Sequence, residues 1–578
     1  MLSNLRIRSL FAIVLTMSML AVACGGGSTG DASGTADAIN DDSVGAGEEQ
    51  IDEGTGVDTE ATGDDLVTED PNAAVAGGTL RFGFESDPAD LNPAASPFAA
   101  GADLMGAAIF DTLTVWNSDD QWVDNMSESW TPNAEFTSWD MTLHDGILFQ
   151  DGTPLNADAV LRNLEEQSKS ALLSLFYGSL FDPDVPYERV DDLTVRINTN
   201  GSNSLLPAYF TTQLGMMASP AWFDALSADP ALAQAPVGAG PFALESRQQD
   251  SQTTLVKNQN WWRSGQSEVL LDAIQFFPLQ QESTRSDQLF AGDLDVIHAT
   301  DVTSINRLRA DESIRRVESS DEDFFLIFNA RVAPFDDLRV RQAATAAFPR
   351  AVYTDFINQG VTVPADTLFP PNSRWHDPSI VQNTEDPDTA AALVAEYCAD
   401  VPASCTDGRI DVEFQYNGPS LTLDEIFTII KNGWSAFFNV TPQVIPQDEH
   451  INEVTLGLFD VATWRYHGFL DPGLEEFFFG CSTIGALSIN FARNCNETRD
   501  ELLVQQRTTD DEAERVEIWR QIQNDLNEQR QYLVISHNIW IIGASENVNG
   551  LCDATTPSGE SIRCNLRGAA RFTDAWIG

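Results

Sequence analysis

A chain of 578 residues exceeds the ~250 to 300 residues at which a single hydrophobic core stops growing, so two or three lobes are expected. Its 88 Asp and Glu against 32 Lys and Arg give a formal net charge of -56, which excludes a partner bound through phosphate neutralisation, nucleic acid above all, and favours solubility. Beyond the N-terminal stretch no run approaches the ~20 apolar residues needed to span a bilayer, so the body reads as a water-exposed globular protein.

Residues 1–23 carry Arg6 and Arg8, an apolar run over 10–20, and Ala21-Val22-Ala23, the layout of a secretory signal peptide. The small residue before Cys24, with Gly25-Gly26-Gly27 after it, resembles the lipobox of bacterial lipoproteins, although Ala21 stands where such boxes usually carry Leu. That resemblance implies lipidation of Cys24, and two acyl chains hold a protein at a membrane where one binds only marginally. Residues 24–77 then form an acidic linker expected to be disordered. The stretch from 25 to 78 has no Lys, Arg or aromatic residue, and 14 acids fall between Asp31 and Asp70. Such a segment is a leash between membrane and body.

Ordered structure is expected from Gly78, where Thr79-Leu80-Arg81-Phe82-Gly83-Phe84 alternates as a strand does. Asp87-Pro88 and Asn92-Pro93 impose turns. The stretch from Trp139 to Phe149 reads as strand, Asp145-Gly146 turn and strand, a hairpin, followed by a second turn at Asp151-Gly152. Asn156 is placed to cap a helix whose Val160, Leu161 and Leu164 share one face. Further strands are predicted over 193–198, 253–257, 274–279 and 324–329. Near the C-terminus, Thr509-Asp510-Asp511-Glu512 fits a capping box before a helix carrying Val516, Trp519, Ile522 and Leu526. Strands and helices interleave without a repeat, so the fold class is mixed α/β.

Of seven cysteines, Cys24 is set aside as the lipidation site and six remain: Cys398, Cys405, Cys481, Cys495, Cys552 and Cys564. In an exported chain they are expected as disulfides. Fifteen pairings are available, and the neighbours are the expected ones because each pair brackets one Gly-, Asp- or Asn-containing loop. No tight CxxC pair offers a metal site, the six histidines are scattered, and HExxH and GxxxxGK[ST] are missing. No catalytic residue, cofactor or metal is therefore expected.

Several blocks occur in a fixed order: Gly77-Gly78-Thr79-Leu80-Arg81 leading to Asp90-Leu91-Asn92-Pro93; Leu143-His144-Asp145-Gly146-Ile147-Leu148-Phe149 leading to Asp151-Gly152-Thr153-Pro154-Leu155-Asn156-Ala157-Asp158-Ala159-Val160; Val237-Gly238-Ala239-Gly240-Pro241-Phe242; Ala291-Gly292-Asp293-Leu294-Asp295-Val296-Ile297; and Pro334-Phe335-Asp336-Asp337-Leu338-Arg339-Val340-Arg341-Gln342-Ala343. This ordered series, across about residues 77 to 540, resembles the extracytoplasmic solute-binding proteins of the dipeptide, oligopeptide and nickel importers, known as family 5 or cluster C. Where the family usually reads AIDR, this chain has Ala347-Phe348-Pro349-Arg350, so Pro349 is expected to break a helix.

The resemblance implies a two-lobed periplasmic-binding-protein fold with an additional domain: domain I over 78–116, 237–330 and 533–578, domain II over 117–236 and domain III over 331–532, with a hinge between lobes. It also implies a monomer that captures a small solute, a peptide or similar, and delivers it to the permease subunits of an ABC importer. Trp375, Trp464, Tyr466 and Phe469 are the expected aromatic wall of the pocket, and core packing is the alternative role for each. Asp87 matches an acidic position that faces ligand in peptide-binding relatives, with turn capping as its alternative. In those relatives an aspartate three residues after the matching tryptophan pairs with the peptide's α-amino group, and here His467 holds that place. An imidazole is a poorer partner for an ammonium than a carboxylate, so a free-amine peptide and other small solutes both stay open as ligands. Asp471 can substitute, although its Asp-Pro setting reads as structural. A metal chelate bound through His467 or His376 is a further alternative. The rival readings are a secreted enzyme and a surface receptor without a transport role.

Overall fold

A computed structural model describes residues 74–96, 98–170, 173–267, 269–466 and 470–578. The signal peptide, Cys24 and nearly all of the leash lie outside the described residues, as do His467 and Phe469. The strands that matter here are β1 (Thr79–Phe84), β2 (Ser127–Pro132), β3 (Ser138–Leu143), β4 (Tyr187–Arg189), β5 (Thr194–Asn198), β6 (Phe242–Gln248), β7 (Gln252–Lys257), β8 (Ala273–Pro278), β9 (Val296–Ala299), β10 (Arg315–Phe328), β11 (Arg409–Asn417), β12 (Phe438–Ile445), β13 (Val461–Tyr466) and β14 (Tyr532–Ala544).

Among the described residues a twelve-stranded sheet runs in the order β11-β13-β10-β14-β9-β1-β8-β7-β6, with β12 paired to β11 and short strands Val363–Pro364 and Cys405–Thr406 at β14 and β11. β1 lies parallel to β8 and β9, β11 parallel to β12 and β13, and the central pairs are antiparallel. This mixture is the observed counterpart of the expected α/β class.

Two strands hold the halves of the sheet together. The N-terminal part of β10 faces the C-terminal part of β14, from Arg315 opposite Ala544 to Ser319 opposite Trp540, beside β9. Its C-terminal part, from Phe324 opposite Ser536 to Ile327 opposite Tyr532, lies beside β13. The register shifts between Ser319 and Glu322, at the changeover, and a β-bulge there bends and twists the strand. Alternation then distributes the side chains: Phe324, Leu326 and Phe328 enter one core with Phe414, Val461, Leu533 and Ile535, while Phe325 and Ile327 enter another with Tyr532 and Val534. On the other side of the bulge, Ile542 and Ala544 pack with Phe82, Phe84 and Ile274.

A separate four-stranded sheet, β2-β3-β5-β4, buries Trp130, Trp139, Met141, Val195 and Ile197 in the core that Phe325 and Ile327 also enter. The predicted hairpin over 139–149 is not formed. β2 and β5 already occupy both edges of β3, so the residues after Gly146 have no edge to pair with, and Leu148 instead makes an isolated bridge to Pro154 in a loop closed by Leu155 N–H donating to Ile147 O at 2.9 Å.

Helix α1 (Ala157–Lys169) starts where expected, with the Asn156 side chain accepting from Ala159 N–H at 3.0 Å. Pro349 does interrupt the chain, since α2 (Leu338–Ala346) ends before it and a new helical turn begins at Arg350. Helix α3 (Glu512–Gln529) buries Trp519, Ile522 and Leu526, but its cap is Asp511 accepting from Glu514 N–H at 2.9 Å rather than Thr509, whose hydroxyl supports the cap by accepting from Asp511 N–H at 3.1 Å. Disulfides join Cys398 to Cys405, Cys481 to Cys495 and Cys552 to Cys564.

Candidate functional site

β13 carries the segment that sequence reasoning singled out, and its two faces lead to different surroundings. Trp464 lies opposite Phe325, half-buried, with ring centroids 4.8 Å from Phe491 and 5.6 Å from His450. His450 is fixed behind it: Nε2–H donates to Thr463 O at 2.9 Å and Nδ1 accepts from Gln415 Nε2 at 3.1 Å. Burial pushes the His450 pKa down to about 4, so this ring is neutral at physiological pH. A neutral imidazole hydrogen-bonded at both ring nitrogens is a rigid backing for the Trp464 ring.

Arg465, the next residue, turns to the opposite face. Its guanidinium stands 3.1 Å from Glu85, just past β1, and 3.8 Å from Glu322 of β10, with its centre 5.4 Å above the Trp540 ring of β14. Trp540 Nε1–H donates to Glu322 at 3.0 Å, and Asn538 Nδ2–H approaches the same oxygen at 3.3 Å. On the far side, Glu85 N–H donates to His298 Nε2 at 2.9 Å, and His298 Nδ1–H donates to Gly568 O at 3.2 Å. Burial and the nearby Arg285 push His298 down to about 4, which leaves Nε2 free to accept. Burial opposes the charges of Arg465 and Glu85, but their attraction outweighs it: Arg465 is raised above its ordinary pKa and Glu85 lowered. Burial keeps Glu322 above the usual carboxylate range despite Arg465. One step along the crossing strands, Asp323 and His537 meet at 2.5 Å in the interior, and burial raises the Asp323 pKa against the pull of His537.

The other expected residues are placed differently. Asp87 is not turned to a cleft: its carboxylate is buried, 3.1 Å from Arg247, and accepts from Asp250 N–H at 2.8 Å. Trp375 is core, only 2% exposed, with Nε1–H donating to Leu470 O at 3.2 Å and the Arg515 guanidinium 5.1 Å over its ring. The Tyr466 backbone pairs with Asp323, while its side chain, together with His467 and Phe469, lies outside the described residues. Asp471 grips Arg515 through both carboxylate oxygens, at 2.7 and 2.5 Å, and caps Gly473 N–H at 2.8 Å. Trp464 is thus half-buried against Phe491 and His450, Asp87 is paired with Arg247, and Trp375 is packed in the core. The residues missed by sequence reasoning are Glu85, Glu322, Arg465 and Trp540. Among the described residues no group of three or more His, Cys, Asp or Glu is arranged to hold a metal ion, and no helix is long and apolar enough to cross a membrane.

Comparison with known proteins agrees with this architecture. Residues 121–480 match the family described as bacterial extracellular solute-binding proteins, family 5 Middle. The dipeptide-binding protein of Escherichia coli K12 is 23% identical over 84% of this chain and 94% of its own length. Among solved structures, the periplasmic binding protein DppA of Helicobacter pylori in complex with the peptide STSA superposes with a TM-score of 0.75 at 18% identity, over 87% of this chain and 98% of that one. AgaA from A. tumefaciens R10, in complex with agropinic acid, gives 0.74 at 19% identity, over 87% and 99%. With more than half its length matching the family and its fold shared with these receptors, the chain belongs to the bacterial extracellular solute-binding proteins of family 5.

Proposed function

We propose that this chain is the solute receptor of an ABC importer, that it takes a peptide or similar small solute between the two halves of the large sheet, and that it delivers that solute to the permease subunits. The observation that carries the reading is a sheet whose halves are joined through β10 and β14, bulged at the changeover, next to an aromatic wall at Trp464. A bend at two crossing strands is how a receptor of this kind closes on its ligand. Domain I then comprises 78–116, 237–330 and 533–578, domain II 117–236 and domain III 331–532. The chain acts as a monomer, held to the outer face of the membrane by lipid on Cys24, with the acidic leash giving it reach. Binding rather than catalysis is its task.

A peptide is the favoured class because a relative aligning over most of the chain is named for dipeptides. By the family resemblance, Trp464, Tyr466, His467 and Phe469 are the residues assigned to ligand contact, with His467 at the sequence position where relatives carry an amine acceptor. A thermal-shift screen of di- and tripeptides against other small acids tests this. A ligand at 100 times its Kd adds about 2.7 kcal/mol, roughly 2 to 3 °C for a cooperative unit of this size. If His467 lines the amine pocket, His467→Asp tightens binding of free-amine peptides. Unchanged peptide affinity in that variant removes His467 from the pocket.

A further inference from the structure

We infer that Arg465 is a positioning residue that latches the two halves of the large sheet across their crossing strands, with Glu85 as its main partner and Glu322 as its second. The inference deepens the receptor reading and rests on it. Glu85 follows β1 in one half, and Arg465 is near the end of β13 in the other. In the sheet order three strands, β10, β14 and β9, separate β13 from β1, so no backbone ladder joins them. Four strand spacings amount to roughly 19 Å in a flat sheet, more than an arginine and a glutamate can span. The 3.1 Å contact exists because the halves fold towards each other over the bulge in β10, and it reports on the angle between them.

The surroundings give the latch a fixed seat. Trp540 stands on a crossing strand under the guanidinium, and the His298 ring lies 5.1 Å from Trp540 while holding Glu85 N–H. Glu85, His298, Trp540 and Arg465 therefore close a ring of contacts that includes both halves. Glu322, on β10 itself, offers the guanidinium a second carboxylate on the strand that bends. Because Arg465 directly follows Trp464, any change in the angle between halves moves the pocket wall with it.

The distance between spin labels at exposed Ser251 and Ser435, one in each half, tests the latch in the ligand-free full chain. Attachment through genetically encoded keto residues leaves the cysteines untouched. In Arg465→Gln the long-distance population is expected to rise about tenfold, the effect of losing one charge-assisted bond. Glu85→Gln gives a smaller rise, because Glu322 still holds the guanidinium. The double variant goes no further than Arg465→Gln, and Arg465→Lys retains most of the short-distance population. A purely structural role lowers the melting point without lengthening the distance, and that result overturns the proposal. Should Arg465→Gln fail to fold, Glu85→Gln decides alone, and an unchanged distance there overturns it. No ligand enters the experiment, so an unmoved distance sinks the latch while leaving solute capture to stand or fall on the thermal-shift screen.

Discussion

Asp471→Asn separates a structural role from a ligand-binding one at a residue whose Asp-Pro setting is compatible with both. The Asp471 and Arg515 side chains are 9% and 6% exposed, joined by two short bonds, and Arg515 links α3 to the chain that follows β13. Removing the charge leaves a buried guanidinium without its anion, and breaking such a pair from one side costs about 3 to 5 kcal/mol. Gln506 at 3.3 Å and the Trp375 ring remain as partial partners for Arg515, so the lower end, about 3 kcal/mol, is expected. With ~500 cooperative residues and about 2.1 cal/mol/K per residue, that is a melting-point fall of about 3 °C. Urea titration followed by tryptophan fluorescence reads the loss as a lower midpoint at constant slope. Adding Arg515→Met is expected to recover part of the loss, because the unpaired charge disappears. A loss well under ~1 kcal/mol in Asp471→Asn, or a drop in ligand affinity with stability intact, refutes the structural assignment.

Acidification acts through His298 and His450. Each has its pKa lowered to about 4 in the folded protein, whereas the unfolded chain takes up these protons near ~6.5. Stability contributed by the neutral rings is complete above about pH 6.5, falls as the pH drops towards about 4, and is lost below it, by at most about 3 kcal/mol per ring. The urea midpoint should decline across that window and decline less in His450→Gln; an equal decline in both proteins contradicts the buried, neutral assignment. Non-reducing peptide mapping should find the three neighbouring disulfides. Replacing Cys481 and Cys495, which close a loop of 14 residues, should cost about 3 kcal/mol through loop entropy, and no measurable loss would count against that link.

Local rules located the elements whose signals are local. Thr79–Phe84 alternates and forms a strand, Asn156 caps its helix, and Pro349 ends one. Phe324 to Phe328 was legible by its apolar run, but the strand continues back to Arg315 through Glu318, Ser319, Glu322 and Asp323, which no propensity favours. Pairing with β14 and burial on both sides of the bulge hold that polar stretch extended, a tertiary effect. The same reason hid much of the candidate site. Glu85 and Glu322 are two acids among 88, and Arg465 gains its meaning only when β13 is brought beside the crossing strands. A motif marks Trp464, and the same kind of match points to Asp87, whose Arg247 partner lies 160 positions along the chain and follows no local pattern.

Solute capture is tested most directly by native mass spectrometry of the freshly purified full chain, followed by denaturation and analysis of what leaves it. The receptor account predicts a discrete small molecule, or an apo protein whose melting point rises in a dose-dependent way with one class of peptide or related solute. A protein that carries nothing and is stabilised by no peptide, sugar, small acid or metal chelate contradicts it.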